Sequence, residues 1–254
     1  MSIELYNDGR HICVSFSDLV TGDAVQANQF LIIDNEHAAL IDPGGELTYT
    51  RLYMAVSNYV SVKGLDFVIA SHQDPDIVAS INRWLLGTQC KVVVPELWQR
   101  FIPHFTRTDK LSGRLVTIPD QGSHIALGKM RLIALPAHFL HAEGNFQFYD
   151  PISKILFSGD MGANLGEADL DTPFKRFEDA IPAMEGFHRR YMNSNKVCRY
   201  WANMVKDLDI ESMVPQHGRP FRGKKMVRQF LEWISGLECG IDLMTQQNYR
   251  VPGL

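Results

Sequence analysis

DFVIASHQDPDI, residues 66–77, decides how the rest of the chain is read. Asp66 to Ala70 is a short apolar run with β-branched residues, the pattern of a buried strand. The run stops at Ser71-His72, and Asp74 and Asp76 follow at once. Pro75 suits the first turn of a helix, and Ile77, Ile81 and Trp84 or Leu85 then share one helical face. A histidine and two carboxylates therefore sit in the link between a strand and a helix. Rigid elements on both sides can fix their direction, which a metal or catalytic site requires.

The same arrangement recurs downstream. RLIALPA is a strand, and the link His138-Phe139-Leu140 leads from it to His141. KILFSG ends at Asp160, and SMVPQ ends at His217. One histidine after a strand is ordinarily a hydrogen-bonded structural residue, and one aspartate in a turn ordinarily caps backbone. Four strands that each deliver such a residue just past their last apolar position are a far more specific signal.

Around these motifs the chain reads as two β-rich halves. HICVSFS, QFLIID and AALIDPGG are strands of the first half, closed by the turn Pro43-Gly44-Gly45. A helix is predicted from Leu47 to Tyr59, and a strand from Lys91 to Val94. The second half has strands at SHIAL, MRLIAL, NFQFYD and KILFSGD. Residues 163–182 turn polar and acidic and read as a loop. One helical stripe then runs through Phe187, Tyr191, Cys198, Trp201, Val205 and Leu208. A last helix turns Met226, Phe230, Trp233, Ile234 and Leu237 inward, and the final ten or so residues are expected to be loosely attached. Such alternation predicts packed sheets flanked by helices, in one domain spanning residues 1–254.

Composition removes several classes of function. The chain has 254 residues, 45% hydrophobic and 21% charged, with net charge -4. That balance gives no electrostatic case for nucleic acid or for an anionic membrane. No apolar run approaches the roughly 18 residues that span a bilayer. The N-terminus lacks a basic stretch followed by an apolar one, so no signal peptide is expected. Cys13, Cys90, Cys198 and Cys239 are scattered and form no CxxC pair. They read as reduced thiols packing as small hydrophobes in a cytoplasmic protein.

The series HxDxD, His, Gly-Asp, His resembles the motif series of the metallo-β-lactamase superfamily. SHQDPDI, HFLHAEGNFQFYD and ILFSGD are most similar to the di-iron domain of flavodiiron proteins and to stand-alone oxygen-binding di-iron proteins. The resemblance runs from NQFLIID to Gln216-His217-Gly218 and implies an α/β fold, an αββα four-layer sandwich. It also implies two metal half-sites. His72, Asp74 and His141 would hold one ion, Asp76 and His217 the other, and Asp160 would bridge them. Hydrolases of the superfamily usually have a histidine where this chain has Asp74, whereas flavodiiron members have a carboxylate. The full motif also has a histidine where this chain has Ile77, which leaves the second ion fewer ligands. His138 is the nearest spare histidine, open to a role there or in the core. His11, His37, His104, His124 and His188 carry no functional assignment.

Three imidazoles and three carboxylates form a mixed hard and borderline donor set that suits two iron ions, with zinc or manganese as alternatives. Phe139, Phe146 and Phe148 flank His141 and either line an apolar pocket or pack in the core. Gly144 and Gly159 are expected to serve the backbone near the site. The resemblance implies a protein that binds and reduces O2, or senses it. A separate electron-donor protein or a chemotaxis receptor would be its partner, and a homodimer its assembly. No flavin is expected in this chain, because no Gly-rich phosphate loop follows a strand. Rival readings are a metal-dependent hydrolase using metal-bound hydroxide and a metal-poor scaffold that only binds partners.

Overall fold

The computed structural model describes residues 2–164 and 172–253. The first sheet has seven strands in chain order. They are β1 (Ser2–Asn7), β2 (His11–Phe16), β3 (Gln29–Asp34), β4 (His37–Ile41), β5 (Phe67–Ile69), β6 (Lys91–Pro95) and β7 (Leu115–Ile118). β1 to β4 form an antiparallel meander, and β4 to β7 pair in parallel. Each parallel step crosses over through helix. The crossovers are α1 (Glu46–Val56), then α2 (Pro75–Val78) with α3 (Ile81–Gly87), then α4 (Thr108–Leu111).

The second sheet has six strands. β8 (Ser123–Leu127), β9 (Met130–Pro136), β10 (Phe146–Asp150) and β11 (Ile155–Phe157) are antiparallel neighbours. β12 (Ser212–Val214) returns parallel to β11 after α5 (Ile181–Tyr191) and α6 (Asn195–Val205). The short β13 (Phe221–Arg222) closes the edge, and α7 (Lys224–Gly236) covers it.

Strand alternation explains the four layers. On β3, Phe30 and Ile32 face the second sheet, while Leu31 and Ile33 face the outer helices. Phe146, Phe148 and Phe157 meet them from the opposite sheet. Burying each such phenylalanine contributes about 2–3 kcal/mol. α5, α6 and α7 cover the far face of the second sheet with Met184, Trp201, Val205, Phe230 and Ile234. The sheets are also joined by charge. His11 on β2 donates through Nε2 to Asp150 Oδ2 on β10 at 2.6 Å, and both side chains are buried. The other ring nitrogen of His11 faces Asp34 Oδ1 at 3.5 Å.

Several expected boundaries move. The single stripe expected to run to about Leu208 is two helices, because Met192 leaves helical geometry and Ser194 restarts the chain from an extended conformation. The stripe continues across the break since Met192 and Cys198 enter the same apolar cluster. The helix after Pro75 is likewise interrupted, at Ala79-Ser80, where the Ser80 hydroxyl donates to the Gly44 carbonyl. The first helix ends at Val56 instead of Tyr59. Of the expected loop 163–182, residues 165–171 lie outside the described residues. Its described part has a 3-10 turn, Phe177–Asp179, and meets α5 at Ile181. Strands β1, β7 and β13 were not anticipated, being short or without clear alternation.

Candidate metal centre

All six candidate ligands meet at one edge of the two sheets. His72, Asp74 and Asp76 come from the link between β5 and α2 on the first sheet. His141, Asp160 and His217 follow β9, β11 and β12 on the second. Asp74 is the N-cap of α2, held extended by the following Pro75. Asp160 follows Gly159, whose φ of +54° turns the chain after β11. The turn is closed by Met161 N–H donating to Ser158 O and by the Ser158 hydroxyl donating to Met161 O. Beyond it, Gly162 N–H donates to Nε2 of the buried His188, whose Nδ1–H donates to Met184 O on α5. Burial lowers His188 to about 4, so its ring is neutral and free to accept.

Asp160 is 1% exposed and its two oxygens face different neighbours. Oδ2 lies 3.3 Å from His72 Nε2 and 2.9 Å from His141 Nε2. Asp74 Oδ2 completes that group, 3.7 Å from His72 Nε2 and 3.4 Å from His141 Nε2. Oδ1 lies 3.3 Å from His217 Nε2, which is in turn 3.7 Å from Asp76 Oδ2. Two clusters therefore share one carboxylate.

The far nitrogens of two rings are already committed. His217 Nδ1 donates to Gln26 O at 2.7 Å. His72 Nδ1 lies 2.9 Å from Ser71 Oγ, whose hydroxyl donates to Asp42 Oδ2 at 3.1 Å. Both rings thus point Nε2 toward Asp160, the nitrogen that would be left for a metal once its proton is displaced. Asp42 is buried and lifted by that burial to about 6. The Asp42–Ser71 support was missed because IDPGG carried only a turn signal.

Charge is concentrated at this edge. Burial disfavours protonation of His141, yet Asp160 and Asp74 outweigh it and raise the ring to about 10. His72 and His217 are also raised against burial, chiefly by Asp160. Asp74 and Asp160 stay well below the usual carboxylate range although burial pushes the other way. A metal ion must therefore compete with protons for these rings. The donor set fits such an ion. Asp160 Oδ2 is buried between two imidazoles at 2.9 and 3.3 Å without a well-aligned hydrogen bond to either, an arrangement that coordination would satisfy.

Other candidates sit elsewhere. Ile77 is fully buried beside Ala70, Val78, Ile81 and Val94, facing the core and not the carboxylates. His138 is no second-site ligand here: its Nε2–H donates to Asp120 O at 2.7 Å and its ring packs edge-on against Phe146. Phe146 and Phe148 belong to the core between the sheets, and Phe139 is 43% exposed. A pocket of about 570 Å³ opens over the cluster, and its apolar wall comes from Val20, Val25, Leu47, Phe187 and Tyr191 instead. Phe187 and Tyr191, one helical turn apart, stack at 4.7 Å, and the Tyr191 ring lies 5.6 Å from that of His141. Their i, i+4 spacing is that of an ordinary core-facing stripe, and nothing in it points to the site. Gly144 has a steric role, since a Cβ there would come within 2.8 Å of Trp98 Nε1.

A family described as "ODP family beta lactamase" matches residues 25–218. A solved structure described as the peroxy diiron species of chemotaxis sensor ODP superposes with a TM-score of 0.86. It is 39% identical, over 98% of this chain and 99% of that one. A flavo di-iron protein variant from Thermotoga maritima gives a TM-score of 0.75 at 19% identity, over 92% of this chain and 60% of that one, a likeness of fold alone. An uncharacterized protein of Methanocaldococcus jannaschii is 24% identical over 81% of this chain and 52% of its own length. The chain thus spans about half the length of that curated relative.

Proposed function

The chain belongs to the ODP family of beta lactamases, and from that premise we propose that it holds two iron ions and binds O2 at them. The observation that carries this reading is the buried Asp160 carboxylate, each of whose oxygens faces a different set of imidazoles. His72, Asp74 and His141 would hold one ion and Asp76 with His217 the other, with Asp160 between. Iron bound there supplies the electrons and open coordination positions that O2 requires.

The chain's own residues do the rest. Ser71 and the Gln26 carbonyl fix two imidazoles so that their Nε2 atoms point inward. Phe187, Tyr191, Val25 and Leu47 give the mouth an apolar wall that admits a small nonpolar gas. Asp74, where an imidazole would favour hydrolytic zinc, adds negative charge that stabilises oxidised iron.

We further propose a cytoplasmic homodimer that reduces the O2 it binds, drawing electrons from a separate donor protein. The sensor described above as a chemotaxis protein supports a chemotaxis receptor as the signalling partner. Among the described residues no helix is long and apolar enough to cross a membrane.

The test is anaerobic purification from iron-supplied cells, then metal analysis and absorption spectra before and after air. About two iron ions per chain are expected, with a near-ultraviolet or blue absorption change on O2 addition that reductant reverses. Zinc-loaded protein with no optical response to O2 would sink the reading in favour of a hydrolase.

A further inference from the structure

Away from the metal centre, two thiols lie in contact. Cys198 is in the first turn of α6, and Cys239 lies just beyond α7, at the start of the 3-10 turn Gly240–Leu243. Both are fully buried, and their Sγ atoms are 3.8 Å apart. A disulfide holds its sulfurs at about 2.05 Å, so closure needs a total movement of roughly 1.8 Å.

Hydrogen bonds on both flanks keep the two segments together whether or not the sulfurs are joined. Asn195 Nδ2 donates to Ser235 O at 2.9 Å and Leu237 O at 2.8 Å, tying the start of α6 to the end of α7. The Asn195 and Cys239 amides both donate to Asp242 Oδ2. Gly240, at φ +52°, packs directly on the Met192 and Asn193 carbonyls, where any Cβ would collide. Cys13 and Cys90 are also buried, but neither has a thiol neighbour.

We propose that Cys198 and Cys239 form a reversible dithiol site that hydrogen peroxide oxidises to a disulfide. The two thiols are not equivalent. Cys198 sits inside α6 under the helix layer, whereas Cys239 lies in the link beyond α7. Cys239 also adjoins the more open segment, whose Ile241 is 63% exposed. Local opening of that segment is the route for peroxide. The Cys239 thiolate attacks one peroxide oxygen and the O–O bond breaks. Cys239 becomes a sulfenic acid, and the departing hydroxide takes the proton that Cys239 released, giving one water. Cys198 sulfur then attacks the sulfenic sulfur, and the displaced hydroxyl takes the Cys198 proton as a second water. Two thiols lose two electrons and one peroxide gains them. A disulfide of this kind in a reducing compartment is transient and redox-responsive.

The pair is linked to the His141 segment through backbone. Ile241 N–H donates to Asn193 O at 2.8 Å, and Asn193 N–H donates to Phe139 O at 3.2 Å, two residues before His141. Oxidation is therefore expected to stiffen this hydrogen-bonded path.

The experiment treats the full-length protein, metal-loaded and chelator-stripped, with hydrogen peroxide in the absence of denaturant. Intact mass should fall by about 2 Da in both forms, with a Cys198–Cys239 linked peptide after digestion, and reductant should reverse both. Amide exchange at Asn193 and Ile241 should slow about tenfold on oxidation. Cys239→Ala should abolish the mass loss. If that variant fails to fold, the peptide map of the unmodified chain decides alone. Linkage only in denaturant, or oxygen adducts on either thiol without linkage, overturns the proposal. Because added peroxide serves as oxidant and the stripped protein is included, failure here leaves the di-iron reading standing, and failure of that reading leaves this one intact.

Discussion

Asp160 is the residue on which the proposed centre turns, because a single buried carboxylate faces both clusters. Asp160→Asn keeps the shape but replaces one oxygen with an amide nitrogen that has no lone pair for a cation. At least one metal equivalent per chain should be lost on purification, as read by elemental analysis, and full occupancy would dismiss the bridging role. Ile77 gives the opposite kind of prediction. From the sequence, restoring a histidine there would strengthen the second half-site. With Ile77 packed among Ala70, Ile81 and Val94, Ile77→His instead buries an imidazole without a partner. It should cost about 1–3 kcal/mol, seen as a lower urea midpoint, with no gain in metal retention. Tighter metal binding in that variant would contradict this placement of the side chain. The six candidate ligands were legible because each follows an abrupt end of an apolar run. The direction of Ile77 was not, since it depends on how α2 is rotated against β6 and α3, a tertiary fact absent from spacing.

Short links that follow strands set the geometry at the next scale, and their glycines are specific. Gly218 follows His217 at φ +86°, and a Cβ there would collide with the backbone and side-chain oxygens of Asn164. The loop is also held by Asn28 Nδ2, which donates to Pro215 O and Gly218 O. Gly218→Ala should therefore cost about 1–3 kcal/mol and displace His217. The check is the rate at which chelator strips the first metal, which should rise while secondary structure by circular dichroism is unchanged. An unaltered rate would show that the loop absorbs the strain elsewhere. Most strands were readable from apolar alternation and turn residues. The break between α5 and α6 was not, because Met192 and Cys198 keep the helical stripe in phase across a segment that is not helical. Phe187 and Tyr191 were hidden by the same periodicity, although the end of α5 carries them past the core to the mouth of the pocket.

Taken whole, the molecule is two sheets fastened at opposite places by opposite means. At one place His11 on β2 pairs across the core with Asp150 on β10. Burial disfavours the His11 charge, but Asp150 and Asp34 outweigh it and raise the ring above its ordinary value. Burial likewise opposes the Asp150 charge, and His11 and Ser153 overcome it, so Asp150 is lowered. The His11 contribution is complete below about pH 6.5 and fades as pH rises through the raised folded value. The Asp150 contribution is present above about pH 3.9 and fades as pH falls through the lowered folded value. Asp150→Asn should therefore cost most, about 3 kcal/mol, between about pH 4 and 6.5. Urea midpoints for both proteins across pH test this, and a difference that grows steadily toward alkaline pH would refute it. At the other edge, no strand segment holds a complete half-site. His72, Asp74 and Asp76 come early in the chain, and His141, Asp160 and His217 come from the later sheet. During synthesis, the first three candidate ligands leave the ribosome long before His217 and wait without partners. If the six residues are the ligands, the nascent chain cannot complete either half-site piecemeal, and full loading must follow the docking of the second sheet.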